Sequence, residues 1–227
     1  MKKVYFLHGF MGTAESHFSK QVSSLEDCYE LILLDLPGHG NAPVEASESY
    51  FECALNYVIA QIKDKGEGYI VGLSLGASLA IHIALKEPKL VNGIALTGYF
   101  PFIPDELKDE KKKQYEFFSN IEVNDPNTAE LFRILHGDQW KRTLKYGNHT
   151  MTFHYPVATK EHIENIRVPM LILNGSNELL DVEAVTYVKK IKNDTEVGLV
   201  PNAGHLANID QPGIYNKILK NFLENLS

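Results

Sequence analysis

The chain has 227 residues, 44% hydrophobic and 22% charged, the balance of a globular protein with one substantial core. A formal net charge of −7 argues against a nucleic-acid-binding surface and leaves no polybasic patch for a membrane. The two cysteines, Cys28 and Cys53, lack the spacing of a metal knuckle or a redox pair and read as buried small apolar residues.

The first element is VYFL (4–7), a short β-rich run behind two lysines. It is too short for a signal-peptide core, and no apolar stretch in the chain approaches transmembrane length, so a reducing, cytoplasmic setting is expected. HGFMG (8–12) follows, then a helical pattern over 16–25. The run ELILLDL (30–36) and the turn PGHG lead to a second helix over 50–65. YIVGL (69–73) is the third strand, GLSLG (72–76) the turn after it, and LGASLAIHIAL (75–85) the next helix. NGIALTG (92–98) is the fourth strand. PMLILNG (169–175), a helix over 182–192, TEVGLVP (195–201) and a helix over 214–226 complete the chain.

Strands alternating with helices predict right-handed crossovers and a parallel sheet covered on both faces. One connection breaks the rhythm. Some seventy residues between Tyr99 and Val168 contain no convincing strand, only helical stretches over 105–118, 128–135 and 138–146. That is too long for an ordinary connection and predicts a helical insertion over one end of the sheet. Its charged run from Asp105 to Lys113 reads as a solvated helix face.

Ser74 stands between a strand and a helix, with glycine two positions to either side. A sharp strand-to-helix turn brings those flanking positions together, so small residues clear the space and Ser74 projects at a helix N-terminus. The competing reading is a helix-capping serine in a glycine-rich turn. A serine hydroxyl needs a base, and the base needs an orienting acid. His205 lies in the turn after the last strand, on the same sheet edge, where open α/β sheets place their chemistry. Glu178 and Asp181, after the fifth strand, are both candidates for the acid. Backbone N–H groups at Phe10 and Leu75 are placed to converge on one oxyanion, with the side chains of His8 and Phe10 incidental to that role. His39 reads as a loop-shaping residue and His82 as a packed helix residue. His136, His149, His154 and His162 belong to the insertion or its exit. No HExxH string or carboxylate cluster argues for a metal, and no cofactor is implied.

HGFMG, DLPGHG (35–40), GLSLG, LILNGSNE (171–178) and PNAGHLANIDQP (201–212) together resemble the α/β-hydrolase family over nearly the whole chain. The resemblance implies an α/β-hydrolase three-layer sandwich of about six parallel strands, lacking the family's N-terminal strand pair. ELILLDL would form one edge and TEVGLVP the other. The core would comprise residues 1–98 and 169–227, with a helical cap over 99–168. It implies Ser74 as nucleophile, His205 as base, the Phe10 and Leu75 amides as oxyanion donors, and Glu178 as the acid, with Asp181 as the alternative. The expected activity is cleavage of a small-molecule ester, thioester or lactone through an acyl-enzyme. Tyr99, Phe100, Phe102, Phe117, Phe118, Trp140 and Phe153 are candidates for an acyl pocket, a small one that suits short chains. The same resemblance admits two other functions: a carbon–carbon hydrolase or lyase similar to enzymes of menaquinone synthesis, or a non-enzymatic ligand sensor. A lyase of that kind would call on Arg133, Arg142 or Arg167 to hold an acidic substrate. The sequence carries no signal for an oligomeric state.

Overall fold

A computed structural model describes residues 1–226. Six strands form one sheet: β1 (Lys2–Leu7), β2 (Tyr29–Leu34), β3 (Gly68–Leu73), β4 (Val91–Thr97), β5 (Met170–Gly175) and β6 (Glu196–Val200). Their order is β2-β1-β3-β4-β5-β6 and every pairing is parallel, with the two expected segments at the edges. The reversal at β1 means that the chain winds outward from β1, first to β2 at one edge and then through β3, β4 and β5 to β6 at the other.

Alternation along the inner strands sends side chains into two separate cores. Tyr5, Leu7, Ile70, Ile94 and Ile172 face one side. They pack there with α2 (Tyr50–Lys65), α3 (Leu75–Lys86) and α9 (Leu179–Ile191). Val4, Phe6, Val71, Leu73, Ala95 and Leu173 face the other, against α1 (Ala14–Leu25) and α11 (Pro212–Asn225). Each such side chain, fully buried, contributes about 1.5–3 kcal/mol, so the central strands carry much of the stability. β3 is buried at every position and β6 mostly exposed, as a central and an edge strand should be.

Helix α1 begins where Thr13 and Ser16 form a reciprocal capping box. The short α10 (Ala207–Asp210) separates the His205 turn from α11. Between β4 and β5 lie α4 (Lys108–Ser119), α5 (Ile121–Asn124), α6 (Pro126–His136), α7 (Trp140–Phe153) and α8 (Lys160–Glu164). Ile121, Ala129, Phe132, Trp140 and Leu144 form a small third core there, which also takes in Met11 from the loop after β1. The cysteines differ from expectation. Cys28 is exposed, at the turn between α1 and β2, and Cys53 is half-buried in α2. Among the described residues no helix is long and apolar enough to cross a membrane.

Candidate active site

The turn from β3 to α3 is sharp enough to hold Ser74 at φ 53° and ψ −109°. A non-glycine residue in that region stores about 1–3 kcal/mol of strain, and surrounding structure must hold it there. The Ser74 amide donates to the Thr97 carbonyl at 2.8 Å, pinning the turn to the tip of β4. A Cβ at position 72 would come within 2.6 Å of the Ala77 nitrogen. One at position 76 would run into the Leu7 carbonyl and lie 2.9 Å from that of His8. The two glycines therefore let the elbow close on β1. The Ser74 side chain does not cap α3, which removes the helix-cap reading. Ser74 is half-buried at the floor of a cavity of about 550 Å³.

His205 opens into the same cavity from the turn after β6. Its ring stacks on Phe100, with centroids 5.4 Å apart and planes at 23°. Gly98, at φ +55°, lets the chain after β4 pass against that ring; a Cβ there would sit 2.9 Å from His205 Nδ1. The carboxylate facing Nδ1 is Asp181, its Oδ2 at 3.9 Å. Asp181 lies in the first turn of α9, fully buried, with neither carboxylate oxygen hydrogen-bonded among the described residues. A buried carboxylate of this kind is costly unless an N–H reaches it, and a small rotation of the half-exposed imidazole would supply one. Glu178 also borders the cavity but is exposed, at the residue preceding α9.

Asn174, unremarked in the sequence, stitches two of these loops together. Its Nδ2 donates to the carbonyls of Asp181 and Tyr99, at 3.1 and 3.3 Å, and its Oδ1 accepts from the Tyr99 amide at 3.3 Å. A polar residue interrupting the buried run LILNG was the available signal.

Phe10 sits in the loop after β1, and Leu75 is the first residue of α3, where helix N–H groups have no intrahelical acceptor. The Phe10 loop is held by four histidines. His8 donates from Nδ1 to the Gly9 carbonyl and accepts the Leu36 amide on Nε2, at 2.8 and 2.9 Å. His17 accepts the Gly9 amide at 3.1 Å, and His39 accepts the Met11 amide at 3.1 Å. His136, from the end of α6, accepts the Gly40 amide and donates to the Met11 carbonyl, at 3.0 and 3.2 Å. Burial pushes His8 down to about 3 and His17 to about 4, and lowers His39 and His136 as well. Each ring accepts a backbone N–H, which the neutral form alone can do.

The cavity walls carry Phe10, Phe100, Ile103, Leu107, Phe118 and Met151. Of the seven aromatic residues expected, Phe100 and Phe118 line it. Tyr99 and Trp140 are buried in packing, Phe117 and Phe153 are exposed, and Phe102 borders a neighbouring groove. The Phe10 ring, expected to be incidental to the oxyanion role, has a place of its own as part of the wall. His39 is fully buried in the loop, and His82 packs in α3 beside Phe51. His149, His154 and His162 are exposed.

A doubly covered parallel sheet, a serine on a strained elbow, and an imidazole with a buried carboxylate on the same edge define a hydrolase-like α/β protein. Residues 4–218 match the model of the Alpha/beta hydrolase family, and the chain belongs to that family. It is similar to NosK from Streptomyces actuosus, with a TM-score of 0.91 and 31% identity over 99% of this chain and 98% of that one. It is 23% identical to Protein PHYLLO, chloroplastic, of Arabidopsis thaliana over 96% of this chain and 15% of that protein. Over 44% of this chain and 38% of that protein, it is 36% identical to the pimeloyl-[acyl-carrier protein] methyl ester esterase of Neisseria meningitidis serogroup C. The chain thus spans well under half the length of these two curated relatives.

Proposed function

We propose that the protein is a serine hydrolase that cleaves a small ester or thioester through an acyl-enzyme. The observation that carries this reading is the meeting of Ser74, His205 and Asp181 in one cavity, with His205 Nδ1 3.9 Å from the buried Asp181 Oδ2. Ser74 Oγ attacks the acyl carbonyl and His205 Nε2 takes its proton. Asp181 accepts the Nδ1–H, fixes the tautomer and stabilises the imidazolium. Phe10 and Leu75 N–H groups receive the oxyanion. The leaving group departs with the proton from His205, which then activates water to release the acid and free Ser74.

The helices between β4 and β5 serve as the lid and selectivity element, since Ile103, Leu107, Phe118 and Met151 come from that stretch. The lining also favours an ester over the acidic substrate of a lyase. Arg133 and Arg142 pair at the surface with Glu130 and Glu45, and Arg167 is exposed. The lysine of the cavity, Lys111, shares it with Glu110 and Glu178.

Hydrolysis of p-nitrophenyl butyrate tests the proposal. The parent protein should turn it over, and Ser74→Ala and His205→Ala should each lower kcat by about 10³-fold or more. Turnover by Ser74→Ala at the parent rate would refute it.

A further inference from the structure

Met11 is a non-glycine residue at φ 57°, next to Phe10 in the loop that follows β1. A left-handed conformation at such a residue persists only when its surroundings over-determine it. Here both backbone polar groups of Met11 are bound by histidines from distant parts of the chain. Its N–H donates to His39 Nε2 at 3.1 Å. Its carbonyl accepts from His136 Nε2 at 3.2 Å. The other ring nitrogen of His136 accepts the Gly40 amide at 3.0 Å, which fixes the proton on Nε2. The two imidazoles meet edge to face, with centroids 5.0 Å apart and planes at 84°.

His39 belongs to the core of the protein. His136 belongs to the insertion, 125 residues from Met11, and is the last residue of α6. It is 2% exposed. The rest of the insertion presses on the same loop. Met11 is part of its small core, and Thr143 from α7 donates to the Gly38 carbonyl at 2.7 Å. The loop is thus built half from the sheet and half from the insertion.

We propose that His136 is a positioning residue: by holding the Met11 carbonyl it ties the aim of the Phe10 amide to the seating of α6 on the sheet. The inference rests on the reading of that amide as an oxyanion donor. The turn itself is closed by the Gly12 amide on the Gly9 carbonyl at 3.2 Å, but when α6 lifts, Met11 loses one of its two histidine bonds and the donor loses its aim. When α6 seats, the donor is set. Selection by the insertion and chemistry at Ser74 are coupled through one imidazole.

Two amide substitutions separate this role from mere packing. His136→Gln keeps an N–H donor at a reach that meets the Met11 carbonyl. His136→Asn is shorter and keeps an acceptor for Gly40. Hydrogen–deuterium exchange of the peptide spanning residues 8–13 is measured together with p-nitrophenyl butyrate kinetics. His136→Ala and His136→Asn should raise exchange in that peptide about tenfold or more, with β3 and β4 unchanged. Their kcat should fall about 10- to 100-fold at a KM within about threefold of the parent's, and His136→Gln should recover most of both losses. Unchanged exchange at 8–13 in His136→Ala would overturn the proposal, as would a rise spread over the whole sheet, or equal behaviour of the Asn and Gln variants. A parent protein with no turnover would instead remove the hydrolase reading, and the exchange result would still decide whether His136 holds the loop.

Discussion

At the scale of single residues, the acid shows what the sequence can and cannot carry. Glu178 and Asp181 stand three positions apart, and choosing between them requires knowing where α9 begins. The pattern suggested a helix from 182, but it starts at Leu179. That puts Asp181 in the first turn, fully buried against His205, and leaves Glu178 exposed outside the helix. Asp181→Asn should therefore lower kcat by about 10²- to 10⁴-fold, because the amide no longer fixes the imidazole tautomer. Glu178→Gln should change kcat by no more than about threefold, as an exposed carboxylate at the cavity border rather than the buried one facing the imidazole. The reverse order in p-nitrophenyl butyrate kinetics would return the role to Glu178. The placement of Ser74 and His205 on one sheet edge, by contrast, was legible because glycines, strand and helix all constrain the elbow, and a short turn constrains the position of the histidine.

At the scale of elements, the six strands were legible because buried parallel strands must be continuous apolar runs. The insertion was less so. The pattern at Gly147 and Asn148 suggested an end to the third helix, yet α7 continues to Phe153. A Cβ at position 147 would lie 2.9 Å from two atoms of the Phe10 ring, so this glycine makes room for the cavity wall rather than ending a helix. The hydrogen bonds of the four histidines were invisible for a similar reason. Apart from the Tyr50 hydroxyl beside His39 Nδ1, their partners are backbone groups of other segments, 8 to 125 residues away except for the local bonds within 8–9 and 37–39. These rings have a consequence for stability. Each has a folded pKa below the ordinary value of about 6.5, so the unfolded chain takes up protons first as pH falls. Their contribution to stability is full above about pH 6.5 and is lost through the window down to about 4 and 3, the values for His17 and His8. The slope is about 1.4 kcal/mol per pH unit for each histidine still neutral in the fold. Urea midpoints at pH 7, 6, 5 and 4.5 check this; a flat profile would mean that these rings do not resist protonation.

At the scale of the whole molecule, topology followed from alternation, since a strand–helix repeat with right-handed crossovers leaves few ways to build a sheet. How the insertion lies over the sheet edge did not follow, because it depends on side-chain packing between segments far apart in sequence. That seating limits the cavity to about 550 Å³, with apolar walls drawn from both parts. Butyrate and hexanoate p-nitrophenyl esters should be cleaved about tenfold or more better, in kcat/KM, than palmitate, whose chain outruns the wall. A rise toward palmitate would mean that the insertion opens wider than the structure shows.

In the proposed mechanism Ser74 is an activated alcohol, poised by His205 and Asp181. Intact-mass spectrometry with peptide mapping after brief exposure to a fluorophosphonate tests it most directly. One adduct is expected, on Ser74, absent in Ser74→Ala and strongly slowed in His205→Ala and Asp181→Asn. An unlabelled parent protein, or an adduct on another residue with Ser74 untouched, would contradict it.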